Sequence, residues 1–154
     1  MRPPELFLKY IMKKINEKKV IRIIDANVNR ACEGVRVCEE VVRFVLDSRQ
    51  GSSDFKNIRH KISQAVDSLP LSYSELIESR ESANDAGKDL AVFRGEKTKL
   101  ENILIANMKR AQEAVRVLEE FSKIISRDTS ALFQEIRFDL YQLEKKIICE
   151  VCKK

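Results

Sequence analysis

Turn-forming residues are scarce in this sequence, which has only four glycines and three prolines among 154 residues. A sandwich or barrel of many short strands needs more of them at its turns, so these all-β classes are excluded. The hydrophobic fraction of 44% is too high for a disordered chain. The length suits one domain with its own core. We therefore expect an all-α protein in which residues 1–154 form a single helical domain.

Long apolar runs are also missing from the sequence. No stretch approaches the roughly 18 uninterrupted apolar residues of a membrane span, and the charged N-terminus lacks the cleavage site of a signal peptide. We therefore expect a cytoplasmic protein with no membrane partner. The four cysteines agree with this, because an intracellular chain of this size needs no disulfides. Cys149 and Cys152 form a lone CxxC motif without a second pair, which only weakly indicates a zinc or redox site.

Positive charge is in modest excess, with 29 Lys and Arg against 24 Asp and Glu and a formal net charge of +5. This balance is compatible with an anionic partner such as a nucleotide or phosphorylated metabolite, although a lysine-rich solvated surface explains it more simply. Aromatic residues make up only 6%, and lysines alternate with acidic residues instead of forming a stripe. We therefore expect no nucleic-acid partner. Neither glycine-rich nucleotide-binding motif is present.

The spacing of apolar residues predicts several helices separated by short connections. The first helix starts at Pro3 and continues to about Ile15, and the β-branched run Val20–Ile24 indicates an extended connector. Asp25 is placed to cap a long helix that continues to about Asp47. The remaining predicted elements are a helix over Phe55–Leu69 ended by Pro70, a short helix over Ser72–Ser79, a loop over 80–96, a helix over Lys97–Ser126, and a last helix capped by Asp128-Thr129-Ser130 and ending near Cys152.

An internal repeat is the main organisational feature of the sequence. Residues 26–40 read ANVNRACEGVRVCEE and residues 106–120 read ANMKRAQEAVRVLEE, with ten of fifteen positions identical. Weaker similarity continues into the next helix of each half, where Arg59 aligns with Arg137. Two copies of a helix pair, over about 22–69 and 102–152 and joined by the loop 80–96, predict a pseudo-twofold helical bundle.

Polar residues interrupt the apolar stripes of these helices, whereas Arg36, Glu39 and Glu40 fall on the polar side. A charge directed at a core without a partner costs several kcal/mol, on the order of 3–5. The interrupting residues are Asn27 and Arg30 in the first copy, Asn107 and Arg110 in the second, and Arg59 and Arg137 in the helices that follow. Glu33 and Glu113 lie on the polar side and border the stripe, one turn after Arg30 and Arg110.

Two interpretations of the four inward arginines stay open from the residues alone. One is a pair of internal clamps that tie helices together, because a guanidinium fork pairs well with a carboxylate. The other is an anion-binding pocket. The clamps would join Arg30 or Arg59 to Glu33, and Arg110 or Arg137 to Glu113.

The loop between the halves gathers polar residues around Gly87, namely Arg80, Asn84, Asp85 and Asp89. It is long enough to cover a site, although an ordinary flexible connector is the more common explanation.

Three segments resemble a small helical domain linked to thiamine biosynthesis: RIIDANVNRACEGVRVCEEVVRFVLD, the loop with Arg80 and Asp85-Ala86-Gly87, and ANMKRAQEAVRVLEEFSKI with IRFDLYQLEKKI. The resemblance covers about Arg22 to Lys146, and the loop of that family more commonly reads D-V-G. The domain occurs alone or fused ahead of thiamine-phosphate synthase, and its proteins are often labelled thiamine-phosphate pyrophosphorylase. It is assigned as a monofunctional hydroxymethylpyrimidine-phosphate kinase that is unrelated to the ribokinase-like type.

The resemblance implies that 4-amino-5-hydroxymethyl-2-methylpyrimidine phosphate and ATP react to give the diphosphate and ADP, with Mg²⁺ as cofactor. Because no synthase barrel follows the last helix, we do not expect thiamine-phosphate synthase activity. The implied roles are catalysis for Arg30, Arg110, Glu33 and Glu113, and substrate or phosphate binding for Asn27, Asn107, Arg59, Arg137 and Arg80. Asp85 is the implied metal-binding residue, and Glu33 and Glu113 are the alternatives that could hold Mg²⁺, directly or through water.

Two other functions compete with the kinase. One is a non-catalytic module, either a homodimerising scaffold or a binding domain for a thiamine enzyme, and the other is a regulator that binds a phosphorylated metabolite. A scaffold should pair all four arginines with carboxylates inside a closed core, whereas an enzyme should leave some of them facing a cavity.

Overall fold

The all-α prediction is confirmed for residues 3–88 and 97–151, which the computed structural model describes and which contain no β-strand. The helices are α1 (Pro3–Phe44), α2 (Arg49–Asp67), α3 (Tyr73–Glu78), α4 (Leu100–Ser122) and α5 (Arg127–Val151), with a 3-10 turn at Ser82–Asn84. Part of the predicted loop, together with Asp89, and the CxxC residue Cys152 lie outside the described residues.

The predicted connector at Val20–Ile24 is wrong, because α1 continues through it as a single helix. Val20 and Ile24 are both buried and stand four residues apart, so they extend the apolar stripe of the following turns. Burial of two such side chains contributes about 1.5–3 kcal/mol each, which outweighs the few tenths by which β-branching lowers helix propensity. Asp25 therefore lies inside the helix and does not cap it.

Hydroxyl side chains set the starts of the shorter helices. Ser48 Oγ accepts from the backbone N–H of Gly51, so α2 begins at Arg49 and the predicted turn at Gly51 belongs to its first turn. Ser72 forms a capping box with Glu75 ahead of α3, as the predicted short helix requires. In α5 the cap is Ser126, whose Oγ accepts from the N–H of Thr129 at 3.2 Å, two residues before the predicted Asp128.

The core lies between two helix pairs, α1 with α2 and α4 with α5. Each pair contributes one fully buried phenylalanine at equivalent positions, Phe55 and Phe133. Helices α1 and α4 form the most extensive contact in the described bundle and run in opposite directions. Their direction follows from two contacts: Cys38 Sγ lies 3.5 Å from the carbonyl oxygen of Leu104, and the earlier residue Gly34 lies against the later stretch 107–111.

Gly34 lies at a close approach between the backbones of α1 and α4. A Cβ added there would lie 2.9 Å from the carbonyl oxygen of Asn107 and 3.2 Å from the backbone nitrogen of Ala111, so the helices must separate. We expect Gly34→Ala to lower the free energy of unfolding by about 1–3 kcal/mol in urea denaturation, even though alanine favours the helix by about 1 kcal/mol. Gly87→Ala is the control at an exposed turn, where an added Cβ would meet only the end of the Asp85 side chain, at 3.2 Å, and no backbone atom, so the effect should stay within about 0.5 kcal/mol. Wild-type stability of Gly34→Ala would contradict the close approach.

The N-terminal part of α1 leaves its apolar side chains exposed. Leu6, Phe7 and Tyr10 are each more than half accessible, so the apolar spacing that predicts a helix there does not pack against the rest of the described chain. No helix within the described ranges combines the length and the apolar character needed to cross a membrane.

Candidate functional site

A pocket of about 530 Å³ lies between α1 and α4, beside their close approach at Gly34. Its volume falls within the range of about 300–1,000 Å³ typical of small-molecule sites. The lining residues are Asn27, Arg30, Glu33 and Gly34 from α1, and Asn107, Arg110, Glu113, Ala114 and Val117 from α4. All six polar residues predicted from the repeated motif therefore meet in one place.

The two asparagines are held by their own helices in the same way. Asn27 Nδ2 donates to the carbonyl oxygen of Ile23, and Asn107 Nδ2 donates to that of Ile103, both at 2.8 Å. A side-chain amide has two N–H donors and one acceptor oxygen, and no other residue in 3–88 or 97–151 bonds to the second N–H or to Oδ1 of either asparagine. The bond to the helix fixes the amide group at the edge of the pocket.

Arg30 and Arg110 are exposed and line the pocket. Among the residues that the structure describes, no carboxylate lies within 4 Å of either guanidinium, and Glu33 and Glu113 form no ion pair either. The predicted clamps from Arg30 to Glu33 and from Arg110 to Glu113 are therefore absent. Because α1 and α4 cross here, side chains that follow the apolar stripe point into an open cleft and not into the core.

Arg59 and Arg137 form the internal clamps, but with other glutamates than predicted. Arg59 Nη2 lies 2.7 Å from Glu39 Oε2, and Arg137 Nε lies 2.6 Å from Glu119 Oε2. Pairing with Glu33 and Glu113 is therefore wrong. Glu39 is only 3% exposed, so its predicted place on the solvated side is wrong as well. Neither arginine lines the pocket.

The pKa shifts of Glu119 and Arg137 reflect the ion pair between them. Burial alone would raise the pKa of Glu119, but hydrogen bonds from Arg137 and Arg116 and their positive charges outweigh it and hold that pKa below its ordinary value. The hydrogen bond to Glu119 likewise raises the pKa of Arg137, helped by a contact with Tyr141. These groups stay ionised and bound to each other, which suits a structural role.

Arg80 and Asp85 do not line the pocket. Arg80 donates to the buried carboxylate of Asp25 through Nε at 2.6 Å and Nη2 at 2.9 Å, which ties the segment after α3 to the middle of α1. This hydrogen bonding raises the pKa of Arg80 above its ordinary value. Asp85 accepts from the N–H of Gly87 at 2.7 Å and pairs with Arg22 at 3.3 Å. The structure brings neither side chain to the motif residues.

Three lining residues were not singled out as site residues from the sequence, namely Gly34, Ala114 and Val117. Gly34 and Ala114 occupy equivalent positions of the repeat, and small side chains at both positions keep the space beside Arg30 and Arg110 open. Two small residues at one repeated position, each four residues after an arginine, are the signal that indicates this cleft.

Comparison with known proteins places these residues in a recognised family. Thiamine-phosphate synthases from Synechocystis sp. and Nostoc sp. are 33% and 35% identical to the chain over 138 and 140 residues, and one from Prochlorococcus marinus is 37% identical over 131. The alignments cover 89%, 90% and 84% of this chain but only 38%, 38% and 36% of those proteins. No solved structure matches. The model of the ThiD2 family matches residues 22–146, and the chain belongs to that family.

Proposed function

We propose that this chain phosphorylates 4-amino-5-hydroxymethyl-2-methylpyrimidine phosphate with ATP, as a step of thiamine biosynthesis. The observation that carries the proposal is the pocket between α1 and α4, where Arg30 and Arg110 stand without carboxylate partners among the described residues. The family and the relatives named thiamine-phosphate synthase support the assignment to this pathway.

The four repeated arginines differ in their partners, and this difference favours an enzyme over a scaffold. Arg59 and Arg137 pair with buried glutamates, whereas Arg30 and Arg110 face a cavity of ligand size. Two guanidinium groups in one cleft, neither paired with a carboxylate of the described residues, are what a site for phosphates requires, whereas a closed scaffold would pair them.

The reaction needs positioning and positive charge more than acid–base chemistry. An oxygen of the acceptor phosphate attacks the γ-phosphorus of ATP, the bond from that phosphorus to the bridging oxygen breaks, and ADP leaves. The attacking oxygen is already anionic, so no proton has to be removed from it. Arg30 and Arg110 are placed to stabilise the charge on the transferring group, which is the main catalytic contribution in phosphoryl transfer.

Glu33 and Glu113 are the residues in the pocket that fit Mg²⁺. Their oxygens are the hard ligands this ion prefers, and neither carboxylate is engaged by a described cation. No cluster of three or more His, Cys, Asp or Glu within the described ranges offers a complete protein site. Mg²⁺ commonly binds through one or two carboxylates together with substrate phosphates, and when bound it neutralises the phosphates. Without Mg²⁺, the carboxylates of Glu33 and Glu113 would repel the substrate phosphates. The placement of Asp85 favours Glu33 and Glu113 over Asp85 for this role.

The test is an assay with purified protein, Mg²⁺, ATP and the pyrimidine monophosphate, following ADP release and the diphosphate by mass spectrometry. We expect turnover at about 1–100 per second, as is typical of kinases. Chelation of Mg²⁺ should abolish it, and the pyrimidine alcohol without phosphate should not replace the substrate. A folded sample that releases no ADP with the monophosphate would overturn the kinase assignment in favour of the scaffold.

A further inference from the structure

The two ends of the pocket present equivalent polar groups. Because α1 and α4 are antiparallel and Cys38 meets Leu104, Asn27 lies beside the part of α4 that carries Glu113, and Asn107 lies beside the part of α1 that carries Glu33. Each end thus combines an asparagine from one helix with a glutamate from the other.

Arg30 and Arg110 occupy the middle of this arrangement. Each lies one turn after its asparagine and one turn before its glutamate along the helix, and both open to the same cleft. Two ligands entering from opposite ends would bring their phosphates together at these guanidinium groups. A single ligand would leave one asparagine and one glutamate without a partner.

The two substrates of the proposed reaction share the feature that such ends would recognise. The acceptor is a 4-aminopyrimidine, and adenine contains the same ring with an amino group beside a ring nitrogen. An asparagine amide matches this edge, because Oδ1 accepts from the amino group while the N–H donates to the ring nitrogen. Within the described residues, the bond to its own helix is the one hydrogen bond that each side-chain amide makes, and it uses one N–H of Asn27 and one of Asn107.

We propose that the phosphoryl donor and acceptor bind at opposite ends of this pocket, each with its aminopyrimidine edge on one asparagine and its phosphates between Arg30 and Arg110. The inference rests on the proposed function and adds to it the arrangement of the substrates. It also gives the repeated motif a purpose, because two similar half-sites serve two chemically similar ligands. The cleft is open to solvent, so the ribose and part of the nucleotide can extend beyond its 530 Å³.

The first measurement uses the unsubstituted chain and a ligand that joins the pyrimidine to adenosine through a tetraphosphate. If it spans both ends, it should bind one per chain and at least about 100-fold more tightly than ADP in calorimetry, because linked ligands act with a high effective concentration. Affinity equal to that of ADP would overturn the arrangement, even in a protein that turns over its substrates.

The second measurement compares Asn27→Ala with Asn107→Ala for binding of ADP and of the pyrimidine monophosphate. We expect each variant to weaken one ligand by about tenfold, the cost of 1.4 kcal/mol, and to leave the other within twofold. Arg43→Ala, which removes an exposed arginine at the end of α1, should change neither. If both variants weaken the same ligand, the two-ended site is wrong. If the ligands bind as expected without turnover, the proposed kinase activity fails and the two-ended site stands.

Discussion

Replacement of Arg110 by alanine should lower kcat for phosphoryl transfer by about 10³–10⁵-fold while the protein stays folded. The magnitude is that of arginines that stabilise a transferring phosphoryl group. Arg110 is exposed and has no ion-pair partner among the described residues, so its loss should change the free energy of unfolding by no more than about 0.5 kcal/mol. Steady-state kinetics and thermal unfolding of the same sample measure the two effects.

Three further variants show whether the effect belongs to the pocket. Arg30→Ala should match Arg110→Ala, because the two residues take equivalent places. Arg110→Lys should recover only part of the rate, since an ammonium group cannot form the two parallel hydrogen bonds of a guanidinium. Arg43→Ala should retain full activity. Activity close to wild type in Arg110→Ala would remove this residue from the proposed mechanism.

Apolar periodicity is sufficient to predict the helical class and most of the helices, because α2, α4, α5 and the part of α1 after Val20 each bury one apolar stripe. It fails at Val20–Ile24, where β-branched residues indicate a strand-like connector but pack as part of a continuous helix. Local propensity differs by only a few tenths of a kcal/mol, and tertiary burial decides the outcome. The predicted end of α1, at about Asp47, lies three residues beyond the observed end at Phe44. Asp47 has a φ of 50°, in the left-handed region that is incompatible with a continuing helix.

The residues of the candidate site could be found from the repeat, but their partners could not. Arg30 and Arg59 both follow apolar stripes in the sequence, yet one lines an open cleft and the other binds a buried glutamate. The difference depends on how α1 crosses α4, and the spacing of residues along a single helix carries no information about that crossing. Glu39 is a second example. Helical spacing puts it on the polar side with Glu40, but in the structure it is buried and pairs with Arg59 of α2.

Glu119→Ala should destabilise the protein by about 3–5 kcal/mol, the cost of breaking a buried ion pair by removing one partner. Glu119 is 3% exposed, and its carboxylate binds Arg137 at 2.6 Å and Arg116 at 2.8 Å. Glu120→Ala is the matched control on the next residue, where a partly exposed carboxylate pairs with Arg116 and Lys123. Its removal should cost no more than about 1 kcal/mol in urea denaturation.

The loss of unfolding free energy in Glu119→Ala should also depend on pH, which a loss caused by poorer packing would not. The pKa of Glu119 is lowered in the folded state, so its ionised form stabilises the protein above the unfolded glutamate pKa of about 4.3. That stabilisation is lost as the pH falls through the lower folded pKa. The difference in the free energy of unfolding between wild type and Glu119→Ala should therefore be constant at about pH 6–8 and become smaller below about pH 4. A gap that persists unchanged in acid would show that Glu119 contributes through packing alone, and equal losses for Glu119→Ala and Glu120→Ala would contradict the buried clamp.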